Sequence, residues 1–139
     1  MSPRTAFGKT FLRVRIAIYL VVLALSGFFL LRFDLVSLPA EGCSPLLGIA
    51  PGDRLIVDRH PSAIQLGDGV LYRSPAGELL LGRVDAPPPS APASVFEACR
   101  AGDLWIVTED PACSTADSTR FGPISRAALV GRIRGVLPW

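Results

Sequence analysis

From Ile16 to Leu31 the chain runs sixteen residues, IAIYLVVLALSGFFLL, without a single charge, and Arg15 and Arg32 close the run at its two ends. No other feature constrains the fold as tightly. At a helical rise of about 1.5 Å per residue the run spans roughly 24 Å, slightly less than a ~30 Å hydrocarbon core. The flanking arginines can snorkel and Phe33 extends the apolar end, so a transmembrane signal anchor is expected over residues 16–33. A cleavable signal peptide is the competing reading. Val36–Ala40 offers Ala40 at one small-residue position but Leu38 at the other, a poor cleavage site.

Charge is divided unevenly around this run. Residues 1–15 carry Arg4, Lys9, Arg13 and Arg15 and no acid, whereas residues 33–139 carry nine arginines against twelve acids, a net of −3. The positive-inside rule puts the basic segment 1–15 in the cytoplasm and the domain over residues 38–139 outside, as a single-pass protein of the cytoplasmic (inner) membrane with a periplasmic or extracytoplasmic domain. The outer part has no basic patch, so nucleic acid is not an expected partner. About a hundred residues suffice for one small domain and argue against a multidomain enzyme.

The cysteines are Cys43, Cys99 and Cys113. Outside the cytoplasm disulfides persist. Cys99 and Cys113 flank the strand-like run Leu104–Val107, and a bridge between them, worth about 3 kcal/mol in the entropy model, would leave Cys43 over. With one histidine, His60, and no CxxC pair, neither a metal site nor a cofactor is expected.

Past the apolar run the pattern is mainly β. Arg54–Asp58 alternates after a Pro51-Gly52-Asp53 turn; Gly69–Arg73 follows Gly67-Asp68; and Glu78–Val84 makes a hairpin with it across Ser74-Pro75-Ala76-Gly77. Ala86–Pro92, rich in proline, reads as an exposed connector. Further strands are expected over Asp103–Thr108 and Leu129–Val136, with a helical turn at Arg126–Ala128. The fold class is therefore a small β domain behind one N-terminal transmembrane helix.

Read together and in order, several boxes resemble those of type I signal peptidases. Gly42–Arg59 (GCSPLLGIAPGDRLIVDR) resembles the nucleophile box, Gly67–Arg73 the strand that follows it, Leu80–Val84 the strand bearing the family's lysine, and Asp117–Ile124 (DSTRFGPI) the late aspartate box. Ala128–Ile133 continues the match, and the ending Leu137-Pro138-Trp139 is similar to the compact conjugative-transfer peptidases of the TraF type. The resemblance runs from residue 42 to the end and implies a signal-peptidase-like β domain.

It also implies a serine–lysine dyad, in which a neutral amine takes the proton of a serine attacking a peptide carbonyl. Ser44 stands at the nucleophile position, and its backbone N–H would be the oxyanion donor. Gly82 stands where the family has its lysine, and Lys9, the one lysine in the chain, lies before the apolar run. Arg83 matches the family's next arginine and stays protonated. Thr115 supplies a hydroxyl where the family has a lysine-orienting serine. Pro45 replaces a methionine and lacks an N–H, and Thr119 replaces the arginine two residues past Asp117, with Arg120 displaced by one. His60 reads as a solvated turn histidine.

Two functions follow as expectations. One is a non-catalytic binding or assembly module of the export or pilin-maturation class, acting at the membrane on an exported protein or pilin precursor or within a secretion or pilus complex. The other is an active serine endopeptidase processing such precursors with an unorthodox base: a water, the hydroxyl of Thr115 or Ser118, or a residue from a partner. A lysine introduced at Gly82 is expected to lie beside Leu80 and Leu81 and to make Ser44 more reactive.

Overall fold

The computed structural model describes residues 4–41, 43–113 and 117–138, so Gly42, Thr115 and Trp139 lie outside the described residues. Helix α1 spans Arg4–Arg32. It is longer than the uncharged run because no proline lies between Pro3 and Arg32 and the basic residues before Ile16 are good helix formers. Its segment Phe11–Arg32, 22 residues, is long and apolar enough to cross a membrane, at about 33 Å by helical rise. Arg32 closes the last turn, where a cation complements the helix dipole. Phe33, expected to extend the apolar end, instead opens a strand.

The chain divides into two units, Met1–Phe33 and Asp34–Trp139. In the second, six strands form one sheet: β1 (Phe33–Ser37, entered from the first unit), β2 (Arg54–Asp58), β3 (Gly69–Arg73), β4 (Leu79–Asp85), β5 (Trp105–Val107) and β6 (Leu129–Leu137). Their order is β1-β2-β6-β3-β4-β5, and the pairs β2–β6, β6–β3, β3–β4 and β4–β5 are antiparallel. The hairpin expected at residues 69–84 is present, closed by Gly77 in the left-handed region at φ 86°. The last strand inserts at the centre of the sheet. It does so where Gly131 lies against β2, since a Cβ there would come within 2.5 Å of the Asp58 carbonyl oxygen.

Four elements were not anticipated: β1, the helix α2 (Ala93–Ala101), the 3₁₀ turn Pro111–Cys113 and the short helix α3 (Ser118–Phe121). The signal for α2 was present, since Pro92 precedes it and Gly102, at φ 115°, ends it. Residues 126–128 form the expected helical turn, of 3₁₀ type.

Alternation along the strands builds two cores. Val70, Tyr72, Val84, Leu104, Ile106 and Ile124 pack on one face. Leu55, Val57, Leu71 and Leu81 pack on the other, capped by Leu46 from the loop before β2. The sheet therefore separates residues that are neighbours in sequence.

The disulfide is Cys43–Cys113, with Cα atoms 5.6 Å apart, and Cys99 is a free thiol. This corrects the expected Cys99–Cys113 pair. That pairing assumed that the chain on either side of residues 104–107 folds back on itself; instead Cys99 is taken up by α2 and β5 pairs with β4. The bridge closes a separation of 70 residues, worth about 4 kcal/mol in the chain-entropy model.

Candidate functional site

Ser44 sits between a disulfide cysteine and a proline in the loop leading to β2. Its hydroxyl donates to the Leu46 carbonyl at 3.1 Å, a bond within its own turn. The loop is fixed from outside itself. Leu46 is buried in the second core, and the Pro45 carbonyl accepts the N–H groups of Glu109 at 2.8 Å and Asp110 at 3.3 Å. The Glu109 carboxylate accepts the Leu47 N–H through Oε2 at 2.9 Å, while its Oε1 lies 2.7 Å from Arg83 Nε. Arg83 thus reaches the Ser44 loop through Glu109, as an ion pair rather than an aligned hydrogen bond.

Beside the loop a groove of about 420 Å³ opens between β1 and the turn end of the β3–β4 hairpin. Val36, Leu38, Leu71, Leu79 and Leu81 supply most of its wall, with Pro45 and both disulfide cysteines. Its lining is mainly apolar, with Ser37 and Thr108 contributing hydroxyl-bearing residues.

Gly82 belongs to the other face. A Cβ built there would point at Ile106, 2.2 Å from its Cγ2, with Tyr72 Cε1 at 3.5 Å. Leu81 and Arg83, one residue to either side, are the ones that reach toward Leu46 and Glu109. The expectation that a side chain at 82 would lie beside Leu81 is corrected by this packing, whereas Leu80 packs against the same core as Tyr72 and Ile106. Nor can Tyr72 serve as a base, because burial, and secondarily the charge of Asp117, push its phenol up to about 12.

Asp117 and Ser118 have defined work in the fold. Asp117 caps α3, accepting from the N–H and hydroxyl of Thr119 through Oδ1, while Oδ2 accepts from the N–H and hydroxyl of Thr108 at 3.4 and 3.2 Å. Burial pushes its carboxyl up, but these hydrogen bonds outweigh that effect and hold it below the usual 3.8. Thr119 thus partners the aspartate itself. Ser118 is buried and its hydroxyl accepts the Ile106 N–H at 2.8 Å, joining α3 to β5. His60 is exposed, with its backbone N–H on Asp58 Oδ1. The whole of β2, five residues at about 3.3 Å each, separates it from the Ser44 loop.

The structure therefore brings Ser44 together with Pro45, Glu109, Arg83 and the disulfide, and it does not bring Gly82, Asp117 or Ser118 to the Ser44 hydroxyl. Glu109 and Cys113 carried no sequence signal for this role, since contacts across 62 and 70 residues leave no local pattern. Among the described residues, no group of three or more His, Cys, Asp or Glu is placed to hold a metal ion. No family model and no curated protein matches this chain.

Proposed function

We propose that this chain is a membrane-anchored, signal-peptidase-like protein that binds without cleaving. Its outer domain holds an extended segment with aliphatic side chains, from an exported protein or pilin precursor, in the groove beside Ser44, and so acts as a binding or assembly module of a secretion or pilus complex. The observation that carries this reading is the packing at residue 82, where Ile106 fills the space a base would need. Without general-base assistance a serine nucleophile loses about 10²–10⁴-fold in rate. The Ser44 hydroxyl, turned onto the Leu46 carbonyl, supports the same view. An apolar groove with one polar rim suits an extended apolar segment, since burying its side chains is the main driving force available there.

The topology is part of the proposal: residues 1–15 inside, α1 across the membrane and the sheet domain outside. The basic N-terminal segment supports it, as does a disulfide that persists in an oxidising compartment.

The test uses the full-length chain in nanodiscs and a fluorescein-labelled peptide with leucines at alternate positions and lysines at both ends. Fluorescence anisotropy should show saturable binding, weakened about tenfold or more by Leu79→Arg, a change at a groove residue that is 45 % exposed and so leaves the core intact. The peptide should emerge uncut, and a fluorophosphonate probe should leave Ser44 unlabelled. Absence of binding would overturn the groove assignment, and cleavage abolished by Ser44→Ala would replace it with a peptidase.

A further inference from the structure

The groove and the loop that carries Ser44 share an unusual wall. Cys43 and Cys113 both line the groove, and Cys43 is the residue immediately before Ser44. Cys113 is buried in the 3₁₀ turn Pro111–Cys113, whereas Cys43 is exposed, so one sulfur of the bridge belongs to a surface residue. Three hydrogen bonds also join described residues of the same two segments. They are the Pro45 carbonyl on the Glu109 and Asp110 N–H groups and the Leu47 N–H on the Glu109 carboxylate. The sheet itself does not need the bridge to define its register, since β2, β6, β3, β4 and β5 are joined by their own ladders. Cys99, in α2, lines a different cavity with Asp85, Gly102 and Arg126, away from the groove.

We infer that Cys43–Cys113 is a redox clasp on the groove: oxidised, it pins the Ser44 loop against the 109–113 segment and keeps the groove closed on that side; reduced, it frees the loop and removes that wall. The inference rests on the groove being a binding site, as proposed above. The step is a thiol–disulfide exchange with a dithiol, whose two thiols become a disulfide as they deliver two electrons and two protons to Cys43 and Cys113. A thiolate of the dithiol attacks Sγ of Cys43, the residue open to solvent, and Cys113 leaves as the thiolate. A second attack within the mixed disulfide, by the remaining thiol of the dithiol, releases Cys43.

Cutting the bridge removes its chain-entropy stabilisation from the whole domain, and the clasp is the additional, local effect on these two segments. Loop segments open independently of the ladders around them, and cutting one tie most raises the open population of the segment it held.

Hydrogen exchange read by mass spectrometry on the full-length protein in nanodiscs tests this, with Cys99→Ala so that one cysteine pair remains. Peptide mapping must first show Cys43 joined to Cys113; two free thiols in protein isolated without reductant would overturn the inference. On adding dithiothreitol, under conditions in which the domain stays folded, amides of residues 46–49 and 109–113 should exchange about tenfold faster or more, and should accelerate more than those of β2, β6 and β3. The labelled leucine peptide should bind correspondingly more weakly. Unchanged exchange in both segments would overturn the clasp, and so would an equal acceleration across the whole sheet, which would make the bridge a staple of the fold alone. If exchange responds as expected but the peptide binds neither form, the clasp stands and the groove reading fails.

Discussion

The two faces of the sheet are built from the same kinds of residue and end in opposite states. One closes around residue 82: Tyr72 and Ile106 pack against the bare backbone of Gly82 and leave no room even for a Cβ. The other stays partly open, because its cap is a loop, Leu46 and its neighbours, rather than a second layer of structure, and a groove remains beside it. A serine–base pair requires both groups on one side within about 3 Å. Here the serine loop belongs to the open face and residue 82 to the closed one. The space around residue 82 has been absorbed into the core.

The sharpest way to break this comparison is Gly82→Lys. If Ile106 owns that space, the variant must displace its Cγ2 from 2.2 Å and place an ammonium among aliphatic and aromatic side chains. Overpacking alone costs about 1–3 kcal/mol, and desolvating the amine adds to it, so a loss of about 3 kcal/mol or more is expected. Urea unfolding of the full-length chain, followed by tryptophan fluorescence, measures it. Ile106→Ala in the same chain should recover part of the loss, since the two changes share one space. A variant as stable as the parent, with Ser44 newly open to acylation, would show that residue 82 can face the serine after all.

Much of the fold was legible because it is written in local pattern. Alternation and turn chemistry located β2, β3, β4 and the strand around Trp105, and charge bounded the apolar helix. What escaped was decided by contacts distant in sequence. β1 is too short and too close to the apolar run to register as a separate strand. Helix α2 hid behind the proline-rich connector, and missing it led directly to the wrong cysteine pair. At the candidate site, the sequence showed which residues stand at which positions of the resemblance, and the face on which residue 82 lies followed only once β4 was paired with β5. Likewise, Thr119 reads as a lost arginine in sequence but is a hydrogen-bond partner of Asp117 in space.

Asp117 sharpens the comparison from the closed side, with a middling effect. Its carboxylate joins α3 to Thr108, just past β5, so Asp117→Ala should destabilise the domain by about 1–2 kcal/mol. The sign of the pH dependence follows from its depressed pKa. The stabilisation is fully present above the unfolded value, near 3.8, and is lost as pH falls through the lower folded value. The parent should therefore lose stability on acidification below about pH 4, and the difference between parent and Asp117→Ala should shrink over the same range. A difference that stays constant down to pH 2 would mean that Thr108 and Thr119 do not hold the ionised form.

The smallest effect is expected where a peptidase would show its largest. Ser44 makes its hydrogen bond to Leu46 within a part-buried turn, and the loop is held by Leu46, the Pro45 carbonyl, Glu109 and the disulfide, none of which needs the hydroxyl. Ser44→Ala leaves one carbonyl lone pair to water and removes no apolar contact, so a loss of about 0.5 kcal/mol is expected, at the low end for a single hydrogen bond. Binding of the labelled leucine peptide should be the same within twofold, because the groove wall is contributed by other residues. An enzyme would behave differently, since removing a nucleophile abolishes turnover while leaving binding intact. Running the same peptide with parent and variant therefore divides the two functions in one experiment. Equal binding and equal recovery of uncut peptide place the role of the open face in holding its occupant; cleavage present in the parent and absent from the variant would mean that a base reaches Ser44 on the open face by a route other than residue 82.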